Sequence, residues 1–227
     1  RGPQVELVPG AVQQLAWQVP STDGLPIAAV GVELSSAAGA VGSSGSVYLD
    51  FLTWDGAPNT VLTRPEGDGV MWRRAWVDGV DMYEGRWWEA YRLVQNSGRG
   101  LLMQGGCDWT DYTVSSTITL HMAEAAGLAA RVGGMRRYYA LLLRRDGMAQ
   151  LVRALDGDTV LAETPLAWEF GETHDFALTV KGSQITAAVD GKTLFTVSDD
   201  ALPGGGIALL LEVGRVMTDA VQITPVV

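Results

Sequence analysis

The sequence predicts an all-β protein made of two consecutive antiparallel β-sandwiches. Short runs rich in β-branched and aromatic residues recur along the chain, as is typical of strands. Asp-Gly and Gly-Ser pairs separate many of these runs, and such pairs readily adopt the positive φ angles of tight hairpin turns. No segment carries an apolar stripe of helical period over ten residues, so we expect at most short helical turns, around residues 87–92 and 122–126.

The composition is that of a globular protein with an acidic surface. The 227 residues suffice for one large domain or two small ones. Hydrophobic residues make up 47% of the chain and charged residues 19%, which is too apolar for a disordered protein. The net charge of −10 argues against nucleic acids and membranes as partners. Cys107 is the single cysteine, which excludes an intramolecular disulfide and favours the cytoplasm, with secretion as the alternative.

The second half is predicted to form a continuous β-meander. Hairpin loops are predicted at 146–147, 156–158, 181–183 and 190–191. The predicted strands are 112–120, 127–132, 138–144, 150–155, 159–163, 175–180, 185–189, 193–197 and 207–212.

The first half is less regular, with predicted strands at 13–19, 27–34, 47–52 and 60–63. The turn sequence Asn96-Ser97-Gly98 separates it from the regular half. We therefore predict two domains, residues 1–97 and residues 98–227.

Five motifs of the second half occur in an order that resembles the concanavalin A-like sandwich superfamily, in particular laminin G-like modules and 3-keto-disaccharide hydrolase domains. They are WTDYTV at 109–114, GLAARV at 127–132, YYAL at 138–141, WEFGETH at 168–174 and VDG at 189–191. The resemblance implies a concanavalin A-like sandwich over 98–227.

Three motifs of the first half resemble the galactose-binding-like jelly roll of many carbohydrate-binding modules. They are IAAVGVEL at 27–34, GSVYLD at 45–50 and WDG at 54–56. The pair of domains is similar to the C-terminal region of some bacterial ADP-ribosylglycohydrolase-family proteins. This resemblance implies an accessory region without that family's helical catalytic part.

A sugar-binding site needs an exposed aromatic ring beside planar polar groups. In an extended segment, Trp72 and Trp76 would lie on one face with Arg74 between them and Asp78 nearby. Trp54 and Asp55 form a second candidate pair, and burial in a core is the alternative for each Trp.

A third candidate patch lies in the second half. If Leu141 and Leu143 face the core, then Tyr138 and Arg144 share the opposite face, which Arg131 could join from the adjacent strand. The same patch is also a candidate contact surface between the two domains.

Catalytic and metal-binding signals are sparse. The paired carboxylates of a retaining glycosidase are missing at strand spacing, and an enzyme would have to use Glu212, Asp111 and His121. We expect no cofactor, although Asp78 with Asp81, or Asp156 with Asp158, could bind a structural calcium ion.

Three functional hypotheses follow. The leading one is a non-catalytic module that binds a polysaccharide or oligosaccharide beside a catalytic domain of a larger bacterial enzyme. The second is a glycoside hydrolase related to the 3-keto-disaccharide hydrolase domains. The third is a structural domain that docks on a catalytic partner.

Overall fold

The computed structural model describes residues 1–20, 22, 25–35, 45–54, 58–66, 69–84 and 90–226. Within these ranges the fold is built almost entirely of antiparallel strands, which confirms the predicted all-β class. The 3-10 helix Met71–Ala75 lies between the first two strands. The strands are β1 (Thr60–Thr63), β2 (Val77–Gly79), β3 (Met82–Glu84), β4 (Tyr91–Gln104), β5 (Tyr112–Gly134), β6 (Arg137–Arg144), β7 (Met148–Leu155), β8 (Asp158–Pro165), β9 (Thr173–Lys181), β10 (Gln184–Val189), β11 (Lys192–Ser198), β12 (Gly206–Thr218) and β13 (Ala220–Pro225).

The strands form two layers that share one long strand. β5 spans 23 residues, of which the first part pairs with β9 and β13 and the later part with β6. The first layer has the order β4-β12-β5-β6-β7-β8, and β2 and β3 pair with β4 at its edge. The second layer has the order β11-β10-β9-β5-β13-β1.

The core lies between the layers, and part of the outer face of the first layer is buried as well. Leu141 on β6 and Leu209 on β12 pack in the same cluster as Phe176 on β9. Each such side chain contributes roughly 1.5–3 kcal/mol by leaving water. Alternate residues of the first layer, among them Leu142 and Leu210, form a second buried cluster on the opposite face. Burial on both faces explains why strands such as β6 are almost continuously apolar.

The predicted hairpin loops are confirmed. Each of the four joins consecutive strands among β6 to β11. Gly147 has φ 81°, and the pair Asp190 and Gly191 has φ 51° and 74°. These left-handed conformations are what Asp-Gly turns supply at low cost.

The first half differs from the prediction. The described residues of the predicted strands 13–19, 27–34 and 47–52 form no strand, whereas 60–63 is strand β1. The expected helical turn at 122–126 lies inside β5, because its residues pair with β12.

The boundary predicted between residues 97 and 98 falls inside β4. The turn sequence there is an irregularity within the strand: Arg99 pairs with Glu212 and Gln95 with Gly214, so the register shifts across Asn96-Ser97-Gly98. Because β1 to β3 pair with β13 and β4, the sandwich begins at Thr60 and the tandem arrangement is not confirmed. Among the described residues, no helix is long and apolar enough to cross a membrane.

Candidate functional site

The outer face of the first layer is concave. β4 and β8 stand at opposite ends of the layer, five strand spacings apart, which is about 24 Å in a flat sheet. Arg99 on β4 nevertheless contacts Asp158 on β8, with 2.8 Å between Nη2 and Oδ2. Two side chains cannot bridge the flat distance, so the sheet curves toward this face.

Five residues, Arg99, Tyr138, Arg144, Asp158 and Glu212, form a charged network on the concave face, which we call the Arg99 cluster. Arg99 donates from Nε to Glu212 Oε1 at 2.8 Å and from Nη1 to Tyr138 Oη at 2.7 Å. Arg144 Nη1 lies 3.8 Å from Glu212 Oε2. The strand register places these groups in one row across the sheet. Glu212 on β12 pairs with Arg99 on β4 and with Ala125 on β5. Ala125 in turn pairs with Arg144 on β6.

The environment shifts the pKa of two groups of the cluster, Tyr138 and Arg99. Burial raises the pKa of Tyr138, an effect that the hydrogen bond from Arg99 partly opposes, so the hydroxyl stays protonated at neutral pH. Burial acts to lower the pKa of Arg99, but its bonds to Asp158, Tyr138 and Glu212 raise it overall. The cluster contains two guanidinium groups and two carboxyl groups.

This arrangement suits the recognition of hydroxyl groups. A hydroxyl both donates and accepts, so a guanidinium and a carboxylate side by side can satisfy it fully. Solvent reaches the groups, since the side chains of Arg99 and Glu212 are 21% and 20% exposed and that of Asp158 is 44% exposed. Their mutual bonds hold them in place before any ligand arrives.

Trp72 and Trp76 are not an exposed platform, contrary to the prediction. Only 2% of Trp72 and 6% of Trp76 is exposed. The cause is local: residues 71–75 form a 3-10 helix instead of an extended segment, so the two side chains turn into the core. Trp72 packs edge-on against Tyr83 with 5.3 Å between ring centroids, and Trp76 packs against Tyr91 at 5.2 Å.

Three of the other first-half candidates are exposed. Arg74 is exposed on the 3-10 helix, and Asp78 accepts hydrogen bonds from Arg73 and the backbone of Val80. Trp54 is 75% exposed. Asp55 lies outside the described residues.

Arg131 is a buried structural residue, contrary to its predicted place on a binding face. Its φ of 49° interrupts the alternation of β5 and directs its side chain inward, where only 2% of the residue is exposed. The guanidinium donates to the carbonyl of Thr110 at 3.1 Å and to that of Leu202 at 3.0 Å. It also contacts Asp111 Oδ1 at 3.3 Å. Tyr138 lies on the predicted face, in the same cluster as Leu142, but only 1% of it is exposed, so its predicted direct contact with a ligand meets the same obstacle of burial.

The three residues named for catalysis do not form one site. Asp111 accepts hydrogen bonds from Arg131 and from the backbone of Gly182, at the start of β5. His121 lies ten residues further along that strand, about 33 Å away at the usual rise per residue. Glu212 belongs to the Arg99 cluster.

The calcium candidates are not assembled either. Asp81 accepts a hydrogen bond from the backbone of Asn96 at 2.7 Å, and Asp158 binds Arg99. Within the described ranges, no three His, Cys, Asp or Glu residues come together as a metal site.

An open depression of about 680 Å³ lies beyond the Arg99 cluster on β12. Its lining includes Val94, Asn96, His121, Met122, Val213 and Arg215, and we call it the His121 depression. Partial burial lowers the pKa of His121, and the charges of Arg215 and Arg92 lower it further.

Sequence reasoning missed Arg99, and it named Asp158 only as a candidate calcium ligand. Arg99 stands next to the assumed domain boundary, and its partners Asp158 and Glu212 follow 59 and 113 residues later. The one available signal was the alternation on β6, which puts Tyr138 and Arg144 on a common face.

No protein-family model and no curated protein matches this sequence. The fold recurs in solved structures. Carbohydrate-binding module 66 from Bacillus subtilis superposes with a TM-score of 0.58 at 15% identity, over 66% of this chain and 94% of that one. A Bacillus subtilis protein of unknown function with a galectin-like fold gives 0.56 at 11% identity, over 76% and 97%. The GH43 protein BlXynB from Bacillus licheniformis gives 0.51 at 12% identity, over 72% of this chain and 38% of that longer one. The likeness shows that the described strands form a galectin-like β-sandwich.

Proposed function

We propose that this chain binds carbohydrate on the concave face of its first layer, at the Arg99 cluster. The observation that carries the proposal is the placement of Arg99 between Glu212 and Asp158 on a curved sheet, where solvent reaches all three. The likeness in fold to a carbohydrate-binding module supports the same function.

Each polar group of the cluster has a distinct part in this proposal. Arg99 donates to sugar hydroxyl oxygens, while Glu212 and Asp158 accept from hydroxyl protons. Tyr138 accepts a hydrogen bond from Arg99 through its hydroxyl and so holds the guanidinium in place. A hydrogen bond to a charged group is worth roughly 1.5–3 kcal/mol, so losing one should lower affinity about 10-fold to 100-fold.

Trp54 remains a candidate for the exposed aromatic ring that the sequence analysis proposed for sugar binding. Its exposure leaves the indole face free to stack on the apolar face of a sugar ring. Arg74 and Asp78 are exposed as well and stay candidate hydroxyl contacts.

We also propose that the sandwich serves as an accessory module of a larger carbohydrate-active enzyme. The similarity to BlXynB supports this proposal, because the matched region is only 38% of that longer chain.

The test is native affinity electrophoresis against a panel of neutral soluble polysaccharides. We expect at least one polymer to retard the chain. Glu212→Gln keeps the shape of the side chain and should lose most of the retardation, as should Arg99→Ala. Lys192→Ala, which removes one exposed positive charge on β11, is the matched control, and the polymer should retard it as strongly as the parent protein when each is compared with its own mobility in a polymer-free gel.

Trp54→Ala tests the aromatic platform in the same gels. Retardation that survives both Arg99→Ala and Glu212→Gln would overturn the concave-face site, and retardation by none of the polymers would overturn carbohydrate binding.

A further inference from the structure

The His121 depression is formed where two strands of the first layer are irregular. On β12 the register against β4 shifts between Glu212 and Gly214. On β5, Arg215 pairs with Met122 while the next residue of β12 pairs with Leu120, so His121 is the extra residue of a bulge. Bulges re-aim side chains and are enriched beside functional sites.

The backbone at this point is strained. Val213 has φ 30°, a conformation that a β-branched residue rarely adopts, and Gly214 has φ 143°. A Cβ on Gly214 would lie 1.8 Å from the carbonyl oxygen of Met122, so only glycine fits. Such strain persists only where the surrounding structure holds it, and it is concentrated at binding sites.

The charge of the depression is opposite to that of the whole chain. The chain carries a net charge of −10, yet the charged side chain that lines the depression is Arg215. Among the described residues, Arg215 makes no ion pair with a carboxylate, and Arg92 adds a second positive charge near His121. An arginine that has no carboxylate partner and lines a concave surface, as Arg215 does among the described residues, attracts anions.

The remaining lining supplies polar and apolar contacts. Asn96 and His121 present hydrogen-bonding groups to the opening. The side chains of Val94, Met122 and Val213 offer apolar surface of the kind that covers the C–H face of a sugar ring.

We propose that the His121 depression binds the anionic group of an acidic saccharide, a carboxylate or a sulfate ester, through Arg215, Asn96 and His121. The inference rests on the proposed carbohydrate function and names its ligand class. Arg215 lies three residues beyond Glu212 on β12, so one saccharide chain can place a neutral unit on the Arg99 cluster and an acidic unit in the depression.

The test follows the imidazole signals by NMR during titration of the whole chain. The sequence has two histidines, and His174, which is held by Asp190 at 2.8 Å, is the internal reference. The probes are potassium glucuronate, glucose 6-sulfate, glucose and inorganic sulfate at equal ionic strength.

We expect glucuronate or glucose 6-sulfate to shift the His121 signals saturably and to leave those of His174 in place. Arg215→Gln should weaken that binding at least tenfold, whereas the matched control Lys192→Gln should not change it. Both side chains are exposed, so neither substitution should affect folding. A response to one acidic sugar alone assigns the anionic group.

Two results would overturn the inference. One is no saturable shift with either acidic sugar, and the other is binding of inorganic sulfate as tight as that of both sugars. These outcomes are separate from failure at the Arg99 cluster, which the neutral polymers and Glu212→Gln report.

Discussion

Replacing Arg131 with alanine should destabilise the fold strongly without acting through a ligand. Arg131 is almost fully buried, and its guanidinium is the donor to the carbonyl groups of Thr110 and Leu202. Alanine would remove this donor from the buried carbonyl of Leu202 and from the partly buried bond at the carbonyl of Thr110. The backbone strain is the same in both proteins, because alanine and arginine have similar preferences at φ 49°.

The magnitude follows from these bonds. A hydrogen bond from a charged donor is worth roughly 1.5–3 kcal/mol, so two of them predict a loss of about 3–6 kcal/mol in the free energy of unfolding. For a chain of this size, each kcal/mol lowers the melting temperature by roughly 2–4 °C. We therefore expect the melting temperature to fall by at least about 6 °C.

Urea denaturation and thermal melting monitored by circular dichroism would measure this change. The matched control is Arg137→Ala, which removes an arginine that is 58% exposed and paired with Asp156 at 3.4 Å. Exposed pairs contribute about 0–1 kcal/mol, so the control should remain close to the parent protein. If Arg131→Ala were no more destabilising than the control and lost glycan binding instead, Arg131 would be a ligand residue and the reasoning would be refuted.

Three further perturbations test separate parts of the structure. Trp72→Ala should cost about 3–5 kcal/mol in the free energy of unfolding, measured in urea, because it empties a core site. Gly214→Ala should destabilise by about 1–3 kcal/mol or more in the same assay, because its φ of 143° and the nearby carbonyl exclude a side chain. Burial acts to raise the pKa of Asp199, but hydrogen bonds and the charge of Arg153 lower it overall. Its contribution to stability is therefore present above about pH 4 and lost as the pH falls through the folded-state pKa, so Asp199→Asn should reduce the stability difference between pH 7 and pH 3.

The glycine and tryptophan variants each have a matched control in the chain. Gly157 has no atom within 4 Å of a built Cβ, so Gly157→Ala should be tolerated. Trp54→Ala removes an exposed Trp and should leave stability almost unchanged. Equal losses for Trp72→Ala and Trp54→Ala, or for the two glycine variants, would contradict the packing described here. An unchanged pH dependence in Asp199→Asn would exclude the carboxylate as its source.

The strands of the second half could be predicted because their signals are local. β6 to β11 lie within two residues of the predicted strands, since each is bounded by a turn whose chemistry is written in two or three adjacent residues. β4 was missed for the converse reason. Its Asn-Ser-Gly segment has the composition of a turn, and only pairing with β12, more than a hundred residues away, makes it part of a strand.

The site could be predicted only in part. Alternation correctly placed Tyr138 opposite the core residues of β6. It failed for Arg131, because the positive φ at that residue turns the side chain to the other side and leaves no local trace in the sequence. The prediction that Trp72 is exposed failed because the residue type alone does not show whether an aromatic ring is buried. Predicting the contacts of Arg99 would have required knowing how three strands, β4, β8 and β12, lie relative to one another.

The pairing of β1 with β13 has a consequence for how the sandwich can be built into a polypeptide. Thr60 lies opposite Ile223, so the chain enters and leaves the sandwich at neighbouring points on one edge. Segments attached before Thr60 and after Pro225 would emerge side by side, and the sandwich can be inserted into a loop of another domain without separating the flanking ends. For the same reason, a circular permutant that joins Pro225 to Thr60 through a short flexible linker and opens at the loop between β7 and β8 retains every strand pairing.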